Sequence, residues 1–219
     1  MEYYDVTHDE LGFHIEGFPK AVKFINLRCH LSKQAADLSL HRTDLNFALT
    51  CLENINQIPM EQSFVRDALW HSAISHYFKC FMKSAARKPL SESKIYKDEI
   101  AREIYTYFRE LRNKHYIHDE NNCTQVQVGA ILNNLEAEYK IEKILCFQTR
   151  QIVLDQGNWA NLFQLITIAL EWVTLKFDQL CDDITVKLEQ KPYEELLAQD
   201  SVIWKQPIAE DVGKTREQL

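Results

Sequence analysis

The chain has 219 residues, a formal net charge of −7, and only 5 Gly and 5 Pro. So few turn-formers argue against a many-stranded sandwich or barrel and leave a mainly helical domain as the expected class. There is no GxGxxG or GxxxxGK[ST] loop to cradle a nucleotide phosphate, and the opening MEYYDVTHDELGF reads as neither a signal nor a transit peptide. The six cysteines are scattered without a CxxC pair, and read as reduced cysteines of a cytoplasmic protein, mostly core fillers.

In chain order, Pro19 suits the first position of a helix running to about Leu38. Thr43 or Asp44 can cap a second helix over about 44–57, stopped by Pro59. A longer helix follows from about Gln62 to Ala86. Its apolar face carries Trp70, Ala73, Ile74, Tyr77 and Phe81, broadened by Phe64, Leu69 and Phe78, with His71 and His76 on the polar face. After the polar loop RKPLSESK, a helix from about Ile95 to His118 carries Ile100, Ile104, Phe108 and Leu111, and its last two face positions are His115 and His118. The turn cluster DENNC leads to a weakly alternating stretch that reads as either a small β-hairpin at about 124–147 or an irregular excursion. Leu162, Ile166, Leu170, Val173, Phe177, Leu180, Ile184 and Leu188 then predict about 30 helical residues, or roughly 45 Å. A rod that long needs either a partner chain or the N-terminal helices against one end. The expected organisation is a single helical domain over 1–205 and a flexible tail over 206–219. The longest apolar stretch, Leu162–Val173, is too short and too polar to span a membrane, so no membrane partner is expected.

Charge is unevenly placed. Residues 79–116 hold ten Lys/Arg against five Asp/Glu, a local +5 that leaves the rest of the chain at −12. A basic patch on an acidic body still attracts a polyanion, because repulsion from the body is screened over about 8 Å at physiological salt.

The chemistry-bearing run is FRELRNKHYIHDEN, residues 108–121. Arg112, Asn113, His115 and His118 gather at the end of an amphipathic helix. An imidazole exchanges protons near neutrality and a guanidinium forks onto phosphate, a set that suits phosphodiester chemistry without a metal. The HxxHDE wording lacks the HExxH arrangement and a third ligand, so no metal is expected. Arg112 and His118 are six residues apart, about 9 Å along a helix. Two copies related by a two-fold axis would place two such sets in one cleft, so a homodimer is expected.

This arrangement resembles the HEPN superfamily: an Arg directly followed by Asn, a His six residues after the Arg, and an aromatic-rich partner helix, Ala68–Phe81. The wording Leu-Arg-Asn-Lys-His…His-Asp is most similar to the branch linked to phage abortive infection and to bacterial HEPN-like proteins. The resemblance covers about 62–120, with 159–190 as a later bundle member, and places an up-and-down HEPN-like core over about 44–190. It implies a metal-independent, cofactor-free endoribonuclease acting as a dimer on RNA, a toxin or defence effector with an antitoxin or defence-system partner. His118 would act as general base or acid at the ribose 2′-hydroxyl, Arg112 would hold the scissile phosphate and Asn113 would orient the site. His115 is the second candidate imidazole, because Arg109 precedes it at the same spacing. Arg109 and Lys114 would contact substrate. Where HEPN toxins paired with nucleotidyltransferases carry a Tyr two residues after the motif His, this chain has Glu120, which argues against silencing by nucleotide transfer. The alternative is a catalytically inactive HEPN module that binds a nucleotide or a protein partner.

Overall fold

A computed structural model describes residues 6–9, 12–118, 120–151, 153–203 and 207–214. The fold is mainly helical. Among the described residues the chain runs β1 (Val6–Asp9), β2 (Gly12–Ile15), α1 (His30–Ile55), α2 (Ser63–Lys79), α3 (Glu92–Ile95), α4 (Glu99–Leu111), a π turn (Arg112–Ile117), β3 (Thr124–Leu132), β4 (Ile141–Arg150), α5 (Gln156–Glu189) and α6 (Tyr193–Ala198). None of these helices is long and apolar enough to cross a membrane. The chain divides into two compact units, 1–46 with 80–90 and 169–219, and 47–79 with 91–168.

In the first unit the expected helix from Pro19 does not form. Residues 24–26 are extended instead, pairing with 200–202 through Asn26 N–H to Asp200 O (2.7 Å) and Val202 N–H to Phe24 O (2.9 Å). The helix begins later, where the Ser32 hydroxyl accepts from Cys29 N–H and donates to the Leu27 carbonyl. It then continues to Ile55 without the break expected near Thr43. Asp44 is not a cap. It lies inside α1 against Arg87, at 2.7 Å from the guanidinium. Nearby, His41 bonds to the Lys88 carbonyl (2.9 Å), and Lys88 N–H bonds to Asp37 Oδ2 (3.1 Å). These three contacts bind the chain after Cys80 onto α1 and explain why α2 ends at Lys79 rather than Ala86. The β1–β2 hairpin, register Val6 to Ile15, has no counterpart among the sequence expectations.

The second unit holds the larger aromatic core. Trp70, Ala73, Ile74, Tyr77 and Phe78 of α2 are buried, as their helical spacing predicts, whereas Phe64 is 83% exposed. Arg66 ties the end of α1 to α2 by donating to the Ile55 and Ile58 carbonyls, which would otherwise be orphaned at a helix C-terminus. The helix expected from Ile95 is interrupted at Tyr96. There the backbone is extended, and the buried Tyr96 hydroxyl donates to the Leu165 carbonyl (3.0 Å) while accepting from Tyr77 (2.5 Å). Asp98 restarts the chain as the N-cap of α4, its carboxylate accepting from Ala101 N–H. The buried face of α4 is Tyr105, Phe108 and Leu111, with Ile100 65% exposed.

Asp155 starts α5 by accepting from Asn158 N–H (2.8 Å). The helix is 34 residues long, about 51 Å. Of the periodic set, Leu162, Ile166 and Val173 are buried, whereas Phe177, Leu180, Ile184 and Leu188 are half-buried. The Phe177 ring lies under the Arg42 guanidinium at 4.6 Å. In the expected flexible tail, 207–214 contains a 3-10 turn, Ala209–Asp211, while 206 and 215–219 lie outside the described residues.

The expected hairpin is present and longer, reaching Arg150, with Thr124 opposite Arg150 and a bulge between Ile131 and Leu132. The pairing puts Val126, Val128 and Ile144 on one face and Ile131 and Phe147 on the other, all exposed. Two strands alone are marginal in water, so the base matters. Gln151 N–H closes it by donating to the Cys123 carbonyl (2.7 Å).

Candidate functional site

The site grows from the end of α4. At Arg112 the helix widens: His118 N–H donates to the carbonyl of Asn113, five residues back, at 3.1 Å. The Lys114 carbonyl then accepts from both Glu120 and Asn121 N–H, which ends the helix. A π turn carries one more residue per hydrogen-bonded ring than an α turn, and such turns are frequent at functional sites. It also shifts the phase of every side chain that follows. In a continuous α-helix His115 and His118 would both follow Leu111 on the buried face. Here His115 is buried at 8% exposure and His118 is exposed.

Arg112 and Asn113 do come together. The half-buried guanidinium donates from Nη1 to Asn113 Oδ1 at 2.9 Å, and its Nε is buried without a hydrogen-bond partner among the described residues. Among the described residues the His118 ring makes no side-chain hydrogen bond to this pair; only its backbone N–H reaches the Asn113 carbonyl. Lys114 and Arg109 both face Glu110, at 2.7 Å and 3.8 Å, on the exposed side of the helix. Lys114 holds the Glu110 carboxyl below its usual range, and Glu110 raises the Lys114 ammonium in return.

His115 belongs to a different grouping. With Asp67, Trp70, His71, Tyr116 and Arg150 it lines a cavity of about 130 Å³ in the second unit. Trp70 Nε1–H donates to the Tyr116 hydroxyl at 2.9 Å, the Tyr116 ring packs on His71 (3.9 Å between centroids) and on His115 (4.9 Å), and Arg150 Nη2 lies 3.5 Å from His71 Nε2. Burial pushes the Tyr116 hydroxyl up to about 12. Burial, reinforced by the Arg150 charge, lowers the His71 imidazole. His71 is therefore half-buried at this cavity and not on a solvated polar face, and His76 is half-buried with its ring 4.2 Å from Phe47. Arg150 was not a candidate. In the sequence it is a cation three residues past the expected hairpin, and nothing local ties it to His71, 79 residues earlier.

A larger cavity, about 620 Å³, lies in the first unit between residues 26–31 and the end of α5. It holds Cys29 beside Lys187 and Lys191. The Ser32 N–H, 3.4 Å from the sulfur, draws the Cys29 thiol below its usual range. All six cysteines are free thiols, but only Cys51 and Cys80 are buried, so core filling accounts for two of them.

Compared with protein-family models, with curated proteins and with solved structures, the chain matches none.

Proposed function

We propose that this chain is a metal-independent endoribonuclease of HEPN type, acting as a dimer in a toxin or phage-defence role. The observation that carries this reading is the π turn, with Arg112 oriented by Asn113 at its start and His118 exposed at its end. A guanidinium held in place can fork onto a scissile phosphate. An exposed imidazole can reach the 2′-hydroxyl of a polymer, as the buried His115 cannot. Exposure therefore favours His118 over His115 as the catalytic imidazole.

In the reaction, His118 takes the 2′-hydroxyl proton and the 2′-oxygen attacks phosphorus. The bond to the 5′-oxygen breaks, and that oxygen leaves with a proton from an acid. The products are a 2′,3′-cyclic phosphate and a 5′-hydroxyl. Arg112 offsets the charge that builds on the phosphate oxygens. The second imidazole such a scheme needs comes from a second copy across a two-fold axis.

The test is incubation of the purified protein with RNA in EDTA. Cleavage should appear, and His118→Gln and Arg112→Gln should each slow it by about 10²–10⁴-fold while His115→Gln cuts at a rate near that of the parent. Equal cleavage by all of these proteins would overturn the assignment. Tight RNA binding without any product would favour the catalytically inactive alternative.

A further inference from the structure

The cavity around His71 and Arg150 is built differently from the Arg112–His118 arrangement and does not depend on it. Its walls come from three separate parts of the second unit: α2, the π turn and the stretch from the end of β4 to Leu154. The β3–β4 hairpin is exposed along its length, yet its last residue places a guanidinium over an imidazole of α2.

Among the described residues, four charged or titratable groups share the cavity wall with His71. Arg150 contributes a permanent cation, and among the described residues no carboxylate lies within 4 Å of it to form an ion pair. His115 is a second imidazole, Asp67 is a carboxylate on the same helix as His71, and Tyr116 presents a ring face and a hydroxyl already engaged by Trp70. Arg150, His71 and His115 set the wall's basic side against its one carboxylate, Asp67, and the rest of the wall, Trp70, Gln151, Val153 and Leu154, is uncharged. When His71 is neutral, its Nε2 faces Arg150 Nη2 at 3.5 Å, too far for a good hydrogen bond. When His71 is protonated that contact loses its acceptor and leaves two N–H donors facing each other, and an oxyanion oxygen that accepts from both relieves it. At about 130 Å³ the cavity has room for a phosphate group.

We propose that this cavity is a phosphate-group site, in which Arg150 and His71 grip the oxyanion and His115 forms the inner wall. It is separate from the RNA-cleaving arrangement proposed above, so either reading can fail without the other. Binding tightens as pH falls, because the anion stabilises the protonated His71 ring that burial and Arg150 disfavour. Asp67 opposes the anion through space while favouring protonated His71. At a pH where His71 is already protonated, only the repulsion remains.

The experiment is an NMR titration of the full chain with inorganic phosphate, following the imidazole C–H resonances of His71 and His115. Sulfate is run in parallel, because its charge does not change over the range. At pH 6 both anions should move the His71 resonances, and sulfate affinity should be about tenfold weaker at pH 8. Arg150→Gln, at an exposed position, should weaken binding at least about tenfold, and His71→Gln should remove most of the pH dependence. Asp67→Asn should tighten binding several-fold at a pH where the His71 C–H shifts show the ring protonated. A 5′-phosphorylated oligonucleotide that competes where its 5′-hydroxyl counterpart does not would identify an RNA end as the source of the phosphate. Competition by neither oligonucleotide, with phosphate still bound, would identify a free small anion. Unmoved His71 resonances at millimolar phosphate, or unchanged affinity in Arg150→Gln, would overturn the proposal.

Discussion

The indole N–H of Trp70 donates a 2.9 Å hydrogen bond to the hydroxyl of Tyr116, which joins the largest buried side chain of α2 to the π turn that carries the candidate site. Because the Tyr116 ring also lies on both His71 and His115, one polar contact positions both imidazoles of the cavity.

Tyr116→Phe removes the acceptor and leaves the Trp70 N–H buried with nothing to bond. A buried donor left in that state costs about 1–3 kcal/mol, so the urea midpoint should fall accordingly. In the Trp70→Phe background the same Tyr116→Phe change should cost less, since no donor is then orphaned. Equal costs in both backgrounds would show that the hydrogen bond contributes nothing.

In the first unit, Arg87 and Asp44 form an ion pair with side chains only 10% and 9% exposed. Removing one partner strands a charge away from water. Arg87→Met should therefore destabilise by about 3–5 kcal/mol, whereas the Arg87→Met/Asp44→Leu double variant should recover much of that loss. Thermal unfolding of the two variants provides the comparison, and a double variant no more stable than the single one would contradict it.

His41 supplies the pH dependence. It is 1% exposed, and burial lowers its imidazole from 6.5 to about 4, against the opposing pull of its bond to the Lys88 carbonyl. The folded protein thus prefers the neutral ring, and the unfolded chain binds the extra proton more readily. The stability this preference contributes is intact above pH 6.5 and is lost as pH falls from 6.5 towards 4, by up to about 3 kcal/mol. His41→Gln keeps an N–H for the Lys88 carbonyl but cannot titrate, so its stability should vary much less over that window. Parallel curves for parent and variant, measured by denaturant unfolding from pH 4 to 7, would rule His41 out as the source.

Cys29 is exposed and its thiol lies below the usual range, whereas burial raises the thiols of Cys51 and Cys181. Thiolate is the reactive form. Iodoacetamide at neutral pH, followed by peptide mass spectrometry, should label Cys29 several-fold faster than Cys51 or Cys181. Ser32→Ala keeps the backbone N–H, which is the main cause of the shift, and should slow the labelling only slightly.

The helical class was legible from the scarcity of Gly and Pro and from periodicity. The buried faces of α2 and of the first half of α5 follow directly from three- and four-residue spacing, because that spacing encodes which side chains leave water together. The hairpin was visible too, in weak alternation between turn residues. Spacing could not show where a helix changes its winding. The extra residue of the π turn at Arg112 separates His115 from His118, although both fit one α-helical stripe on paper. Nor could it show that α1 runs unbroken past Thr43, because the partner that accommodates Asp44 inside that helix is Arg87, 43 residues away. The convergence of His71 and Arg150 is the same kind of fact. Local propensity acts over a few residues, whereas a cavity wall assembled from α2, the π turn and β4 exists only once tertiary packing brings those segments together. Sequence alone therefore determined the helical class and singled out Arg112, Asn113, His115 and His118. Only the tertiary structure decided which imidazole faces solvent, which is enclosed, and which cation stands beside it.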